Sequence, residues 1–89
     1  MSYDIKLIVK NQEGTCVAGH KIGDEILVSF ERNEISGKIC LHALYSIMPK
    51  VFAMAYGAVF PWLKNPDVST HACPDPWNPV IYEVKRIRK

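Results

Sequence analysis

Three cysteines, Cys16, Cys40 and Cys73, together with His20, are the side chains of this sequence best suited to chemistry. Three thiolates and an imidazole form a donor set that a soft metal accepts. Zinc takes Cys₃His in a closed tetrahedral site, and Cys16-Val-Ala-Gly19-His20 puts two such donors on one glycine-containing loop. Iron–sulfur clusters also need thiolates, and Cys73-Pro74 resembles the Cys-Pro ending of ferredoxin-type cluster motifs. Three cysteines would leave one iron open or held by another group. The spacing speaks against both metals: Cys40 follows Cys16 by 24 positions, Cys73 follows Cys40 by 33, and no C-x-x-C pair occurs. A second reading makes the thiols small buried hydrophobes, which suits Cys40 on an apolar helical face. In a third, Cys16 is a catalytic thiolate paired with His20, or Cys40 is one stabilised by backbone N–H groups at a helix start.

Asp24 and Asp75 offer two carboxylates for acid–base work. Gly23-Asp24 before a strand and Pro74-Asp75-Pro76 after one are better read as turns. Gly14, Gly19 and Gly23 build no phosphate loop, because neither G-x-x-x-x-G-K-[ST] nor G-x-G-x-x-G occurs. His42 and His71 stand singly. Trp62 and Trp77 lie in Pro-rich loops, where they are expected to cap the edge of the core, with the lining of a pocket as the alternative. Lys85, Arg86, Arg88 and Lys89, with Tyr82 and Trp77 nearby, make a basic end of the kind that contacts single-stranded nucleic acid. Eleven Lys and Arg against nine Asp and Glu leave only +2. The end is therefore read as a solvated terminal strand, and nucleic acid is not an expected partner.

The elements that must position these residues follow from periodicity. At 89 residues, 48% hydrophobic and 22% charged, the chain is expected to be one globular domain spanning residues 1–89, not a disordered tail or a repeat. Tyr3, Ile5, Leu7 and Val9 alternate with polar residues, as do Ile26, Val28 and Phe30. Val68, Thr70 and Ala72 make a short third strand, and Val80, Tyr82 and Val84 a last one. Arg32 to Lys38 is read as a polar connector. On helical spacing Cys40, Leu44, Ile47, Val51 and Met54 share one face, and Leu41, Tyr45, Met48, Phe52 and Tyr56 the adjacent one. His42, Ser46 and Lys50 form a thin polar stripe. Pro49 predicts a kink, or two short helices meeting near Met48. The expectation is an α+β fold: a small, mainly antiparallel sheet of about four strands with one kinked or two short central helices. An apolar arc this wide exceeds what one small sheet covers, which points to a homo-oligomer.

The longest apolar stretch, Ile39 to Leu63, carries Lys50 at its middle and is expected to be a buried helix, not a membrane span. An odd cysteine count and an N-terminus without a signal-peptide core point to a cytoplasmic protein with reduced thiols.

Residues 16–24 fit C-x-x-G-H-x-x-G-D, and residues 73–80 fit C-P-D-x-x-x-P-V before a Glu-Val-Lys-Arg strand, with Ile39-Cys40 opening the helical region. Together these motifs resemble a family of small prokaryotic proteins, common in anaerobes, with no established activity. The resemblance spans nearly the whole chain. It implies that Cys16, His20, Gly19, Gly23, Asp24, Cys40, Cys73 and Asp75 occupy motif positions. The leading expectation is a metal- or iron–sulfur-binding accessory module, possible partner of a redox or metal-handling protein. Its ligands would be Cys16, Cys40 and Cys73, with His20 as a fourth ligand or beside them. The cofactor would be an iron–sulfur cluster or zinc. A non-catalytic homo-oligomeric interaction module with structural cysteines is the alternative, and a thiol-dependent enzyme the third reading.

Overall fold

Alternation puts Ile5, Leu7 and Val9 on one face of strand β1 (Asp4–Gln12), and all three are fully buried. The computed structural model of the chain describes residues 2–12, 21–74, 77 and 79–87, with only the backbone of residue 12. The further elements are β2 (Glu25–Ser29), β3 (Glu34–Ser36), α1 (Leu41–Ala55), β4 (Val68–Ala72) and β5 (Val80–Ile87). The strands form one sheet in the order β3-β2-β1-β5-β4, every neighbouring pair antiparallel. Ile5 stands opposite Val28 and Arg86, and Leu7 opposite Ile26 and Val84, so one face of the sheet is apolar up to its edge, where Arg86 is the charged exception. Helix α1 covers that face with Ala43, Ile47, Val51, Met54 and Ala55, and these side chains join the strands in a single core cluster. The opposite face carries charged residues in diagonal ion pairs, Lys6–Glu25 at 3.5 Å and Lys10–Glu83 at 3.2 Å.

Two expectations are corrected. The sheet has five strands instead of about four, and a single helix of 15 residues stands where one kinked or two short helices were expected. The extra strand, β3, lies in the segment read as a polar connector. Its three residues are all exposed, so no buried alternation marks it. It forms because the turn after β2, with Asn33 at φ 54°, returns the chain against Leu27, Val28 and Ser29. Pro49 lies inside α1 and removes the bond its N–H would give to the Tyr45 carbonyl. Both Pro49 and Tyr45 are exposed, so the carbonyl that loses its partner sits on the wet side of the helix.

The end of α1 is closed completely. The N–H of Ala58 donates to Ala53 O at 3.0 Å and that of Gly57 to Met54 O at 3.2 Å. This is the Schellman pairing, and Gly57 takes the left-handed conformation it needs, at φ 94°. Tyr56 N–H donates to Phe52 O and Tyr3 N–H to Ala55 O, so all four terminal carbonyls have a partner. Among the described residues no helix is long and apolar enough to cross a membrane.

Candidate thiol site

The start of α1 is built differently from its end. Cys40 occupies the N-cap with extended backbone, makes no side-chain capping bond, and no acidic residue lies in the first turn. The positive end of the helix dipole is thus uncompensated by the helix's own side chains. Two contacts fix which part of the sheet this end approaches. Lys50 Nζ donates to Thr70 O at 2.6 Å, and Ser46 Oγ lies 2.9 Å from His71 Nε2. Moving back along α1 from Lys50 to Ser46 therefore means moving forward along β4 from Thr70 to His71. Helix and strand run antiparallel, and the Cys40 end of α1 lies toward the Cys73 end of β4.

Cys73 closes that end of the sheet. Its N–H donates to Val80 O at 2.9 Å, which joins the two sides of the 73–80 loop. Val80 is paired on its other side with Gln12, the last residue of β1. Cys73 is buried in the core cluster, Cys40 is half-buried against the same cluster, and neither is in a disulfide. Two of the four expected ligands therefore come to one end of the two-layer fold, as does the residue from which the 13–20 segment departs. Cys16, His20, Gly19 and Asp75 lie outside the described residues. Among the described residues no group of three or more His, Cys, Asp or Glu is placed to hold a metal ion.

The remaining motif residues have structural surroundings. Gly23 takes φ 95°, and Lys21 N–H donates to Asp24 Oδ2 at 3.0 Å, so Gly23-Asp24 forms the turn that delivers the chain into β2. Trp62 is exposed and stacks on Phe60 with centroids 5.0 Å apart, while Trp77 is exposed.

Two arrangements were not visible in the sequence. His71, read as a single histidine, meets the polar stripe of α1. Ser46 Oγ lies within hydrogen-bond distance of both Ala43 O, at 3.1 Å, and His71 Nε2, at 2.9 Å. Burial, and secondarily the Lys50 charge, hold the His71 imidazole below its ordinary value, and burial lowers Lys50 as well. By capping an outward carbonyl of β4, Lys50 also blocks an edge strand that could otherwise pair with another chain. The signal was the polar line His42, Ser46 and Lys50 on an otherwise apolar helix, which needed a polar strand residue opposite it.

The basic end is a correction. Arg86, read with its neighbours as solvated, is 2% exposed, and Tyr82 is fully buried. Both lie on the core-facing side of β5, where residues 80, 82, 84 and 86 alternate inward. Arg88 and Lys89 lie outside the described residues.

No protein-family model matches the chain, and no match to it is found among curated proteins or solved structures. The resemblance noted above thus rests on its two motifs.

Proposed function

We propose that the protein is a small cytoplasmic metal- or iron–sulfur-binding accessory module in which Cys16, Cys40 and Cys73 supply thiolate ligands. His20 serves as a fourth ligand or as a hydrogen-bond partner of one. The observation that carries this reading is the tether at the Cys73 end: Gln12 pairs with Val80, whose carbonyl receives the Cys73 N–H. Cys16 is four residues beyond Gln12, a span of at most ~14 Å for a fully extended chain. A chain of that length allows the third thiol to approach the end where Cys40 and Cys73 lie. The uncapped start of α1 supports the reading, because a helix N-terminus favours the net negative charge of a thiolate-ligated centre. The donor chemistry fits a soft ion and excludes calcium or magnesium, which take oxygen ligands. Such a module would serve electron transfer, metal handling or structural stapling, in contact with a redox or metal-handling partner.

Elemental analysis and a visible spectrum of anaerobically purified protein test this. Metal should bind stoichiometrically, with sulfur scatterers at ~2.3 Å by X-ray absorption if the ion is zinc. Cys16→Ser, Cys40→Ser and Cys73→Ser should each lose it. Affinity should fall as pH drops, because protons compete for the thiolates. If the protein takes up neither zinc nor an iron–sulfur cluster under reconstitution, the reading fails. It fails equally if all three variants keep the wild-type metal content. Serine at a packing position would cost only the ~1–3 kcal/mol of burying a hydroxyl.

A further inference from the structure

We propose that α1 is also a self-association surface, and that two copies pack antiparallel through it about a twofold axis near Met48. The proposal stands apart from the thiol reading. While Ala43, Ile47, Val51 and Met54 face the core, the exposed side of α1 carries Leu41, Tyr45 and Phe52, with Tyr56 one turn further and Met48 half-buried between this side and the core. The steps of four, three and four are the heptad seam of paired helices. Leu41 and Tyr45 are 77% and 83% exposed, and Phe52 and Tyr56 are each 54% exposed. No formal charge interrupts the seam: the sole Lys of α1, and its sole member among Lys, Arg, Asp and Glu, is Lys50, whose ammonium is turned to Thr70.

The surface is also pre-formed. Phe52 packs edge-on against Phe30 at 5.6 Å, and Tyr56 lies 5.0 Å from Phe52 and 5.8 Å from Phe30. Beside Met48 a cavity of about 330 Å³, lined by Val28, Phe30 and Ile35, opens toward the solvent and offers an incoming ring a seat.

Symmetry and area select a second copy as the occupant. Tyr45 and Phe52 are equidistant in sequence from the point between Met48 and Pro49, and so are Leu41 and Tyr56. An antiparallel pair therefore matches Tyr45 with the partner copy's Phe52 and Leu41 with its Tyr56, an isologous contact in which one patch complements itself. Opposed helix dipoles favour this orientation over the parallel one. The three aromatic side chains, at ~200 Å² each, leave roughly 400 Å² exposed. With Leu41 and flanking atoms, two copies bury about 1,000 Å², the lower limit for a stable interface.

The test is sedimentation equilibrium in reductant. Wild-type protein should be dimeric at several hundred micromolar and dissociate on dilution. Tyr45→Lys and Phe52→Glu should each be monomeric, with unchanged far-UV circular dichroism because neither side chain belongs to the buried core. The double variant should recover the dimer at low salt and lose it at high salt, since each new lysine meets the new glutamate of the other copy. A parallel pair would instead set like charges opposite each other. A wild-type monomer at several hundred micromolar overturns the proposal and leaves the seam to a different partner. A double variant that stays monomeric at low salt overturns the antiparallel geometry.

Discussion

Replacing Arg86 with methionine keeps the apolar stem and removes the guanidinium, and its cost follows from what that group holds. Nε donates to Asp67 Oδ1 at 3.0 Å, Nη1 to Met54 O at 3.0 Å and Ala58 O at 2.8 Å, and Nη2 to Pro66 O at 2.9 Å. The guanidinium lies 5.4 Å from the Tyr3 ring centroid. One side chain from β5 thus ties together the end of α1, the 58–67 connection and the chain entering β1. Its side chain is 1% exposed and that of Asp67 25% exposed, so the pair is screened little by salt. Removing one partner of a buried ion pair costs about 3–5 kcal/mol. Met54 O keeps its bond from Gly57, and the part-buried carbonyls of Ala58 and Pro66 can regain water, which sets the expectation at the low end, about 3 kcal/mol. Against a total of about 5–15 kcal/mol for a domain, that is a large fraction. Urea unfolding followed by far-UV circular dichroism should show it, with a midpoint loss similar at low and high salt. Arg86→Lys should recover only part, because one ammonium cannot reach acceptors on three segments. Asp67→Asn should cost much less in the Arg86→Met background than alone. A loss below about 1 kcal/mol for Arg86→Met, or full additivity of the two substitutions, would refute the reasoning.

Three further outcomes are expected. Gly37 has φ 101°, and a Cβ there would stand 2.8 Å from Glu25 O, whereas at Gly57, φ 94°, it would meet nothing within 4 Å. Gly37→Ala should therefore destabilise by more than about 2 kcal/mol and Gly57→Ala by about 1–2 kcal/mol, and thermal unfolding would expose a reversed order. His71 has its folded-state value depressed below 6.5 by burial and then by Lys50, so the unfolded chain takes up this proton at higher pH than the folded one. Its contribution is complete above about pH 6.5 and declines as pH falls through the folded value. Stability measured from pH 7.5 to 5 should fall less steeply in His71→Asn, and identical slopes would contradict the assignment. Lys50→Met uncovers the Thr70 carbonyl on the edge strand β4. It should raise concentration-dependent aggregation on heating, detectable by turbidity, and a variant no more prone to aggregate than wild type would remove the edge-blocking role.

Much of the element list was legible because burial leaves a local period. Ile5, Leu7 and Val9, Ile26 and Val28, and Val80, Tyr82 and Val84 alternate because one face of the sheet is covered and the other is not. The helix was visible as two apolar faces and a polar line, and the turn at Gly23-Asp24 as turn chemistry. What stayed hidden depended on partners distant in the chain. Strand β3 buries nothing and exists only through pairing with β2. Pro49 suggested a broken helix, since its cost depends on whether the orphaned carbonyl faces core or water, which packing decides. Arg86 shares its local sequence with a solvated basic end, and only the approach of Met54, Ala58, Pro66 and Asp67, 19 to 32 positions away, makes a buried site for it. The candidate site divides in the same way. Residue types and motifs singled out Cys16, Cys40, Cys73 and His20. That Cys40, Cys73 and Gln12, four positions before Cys16, share one end follows from the antiparallel run of α1 along β4 and from the Gln12–Val80 pairing. A thiol's identity is a local property, whereas its neighbourhood is set by strand order and helix direction, which no local pattern encodes.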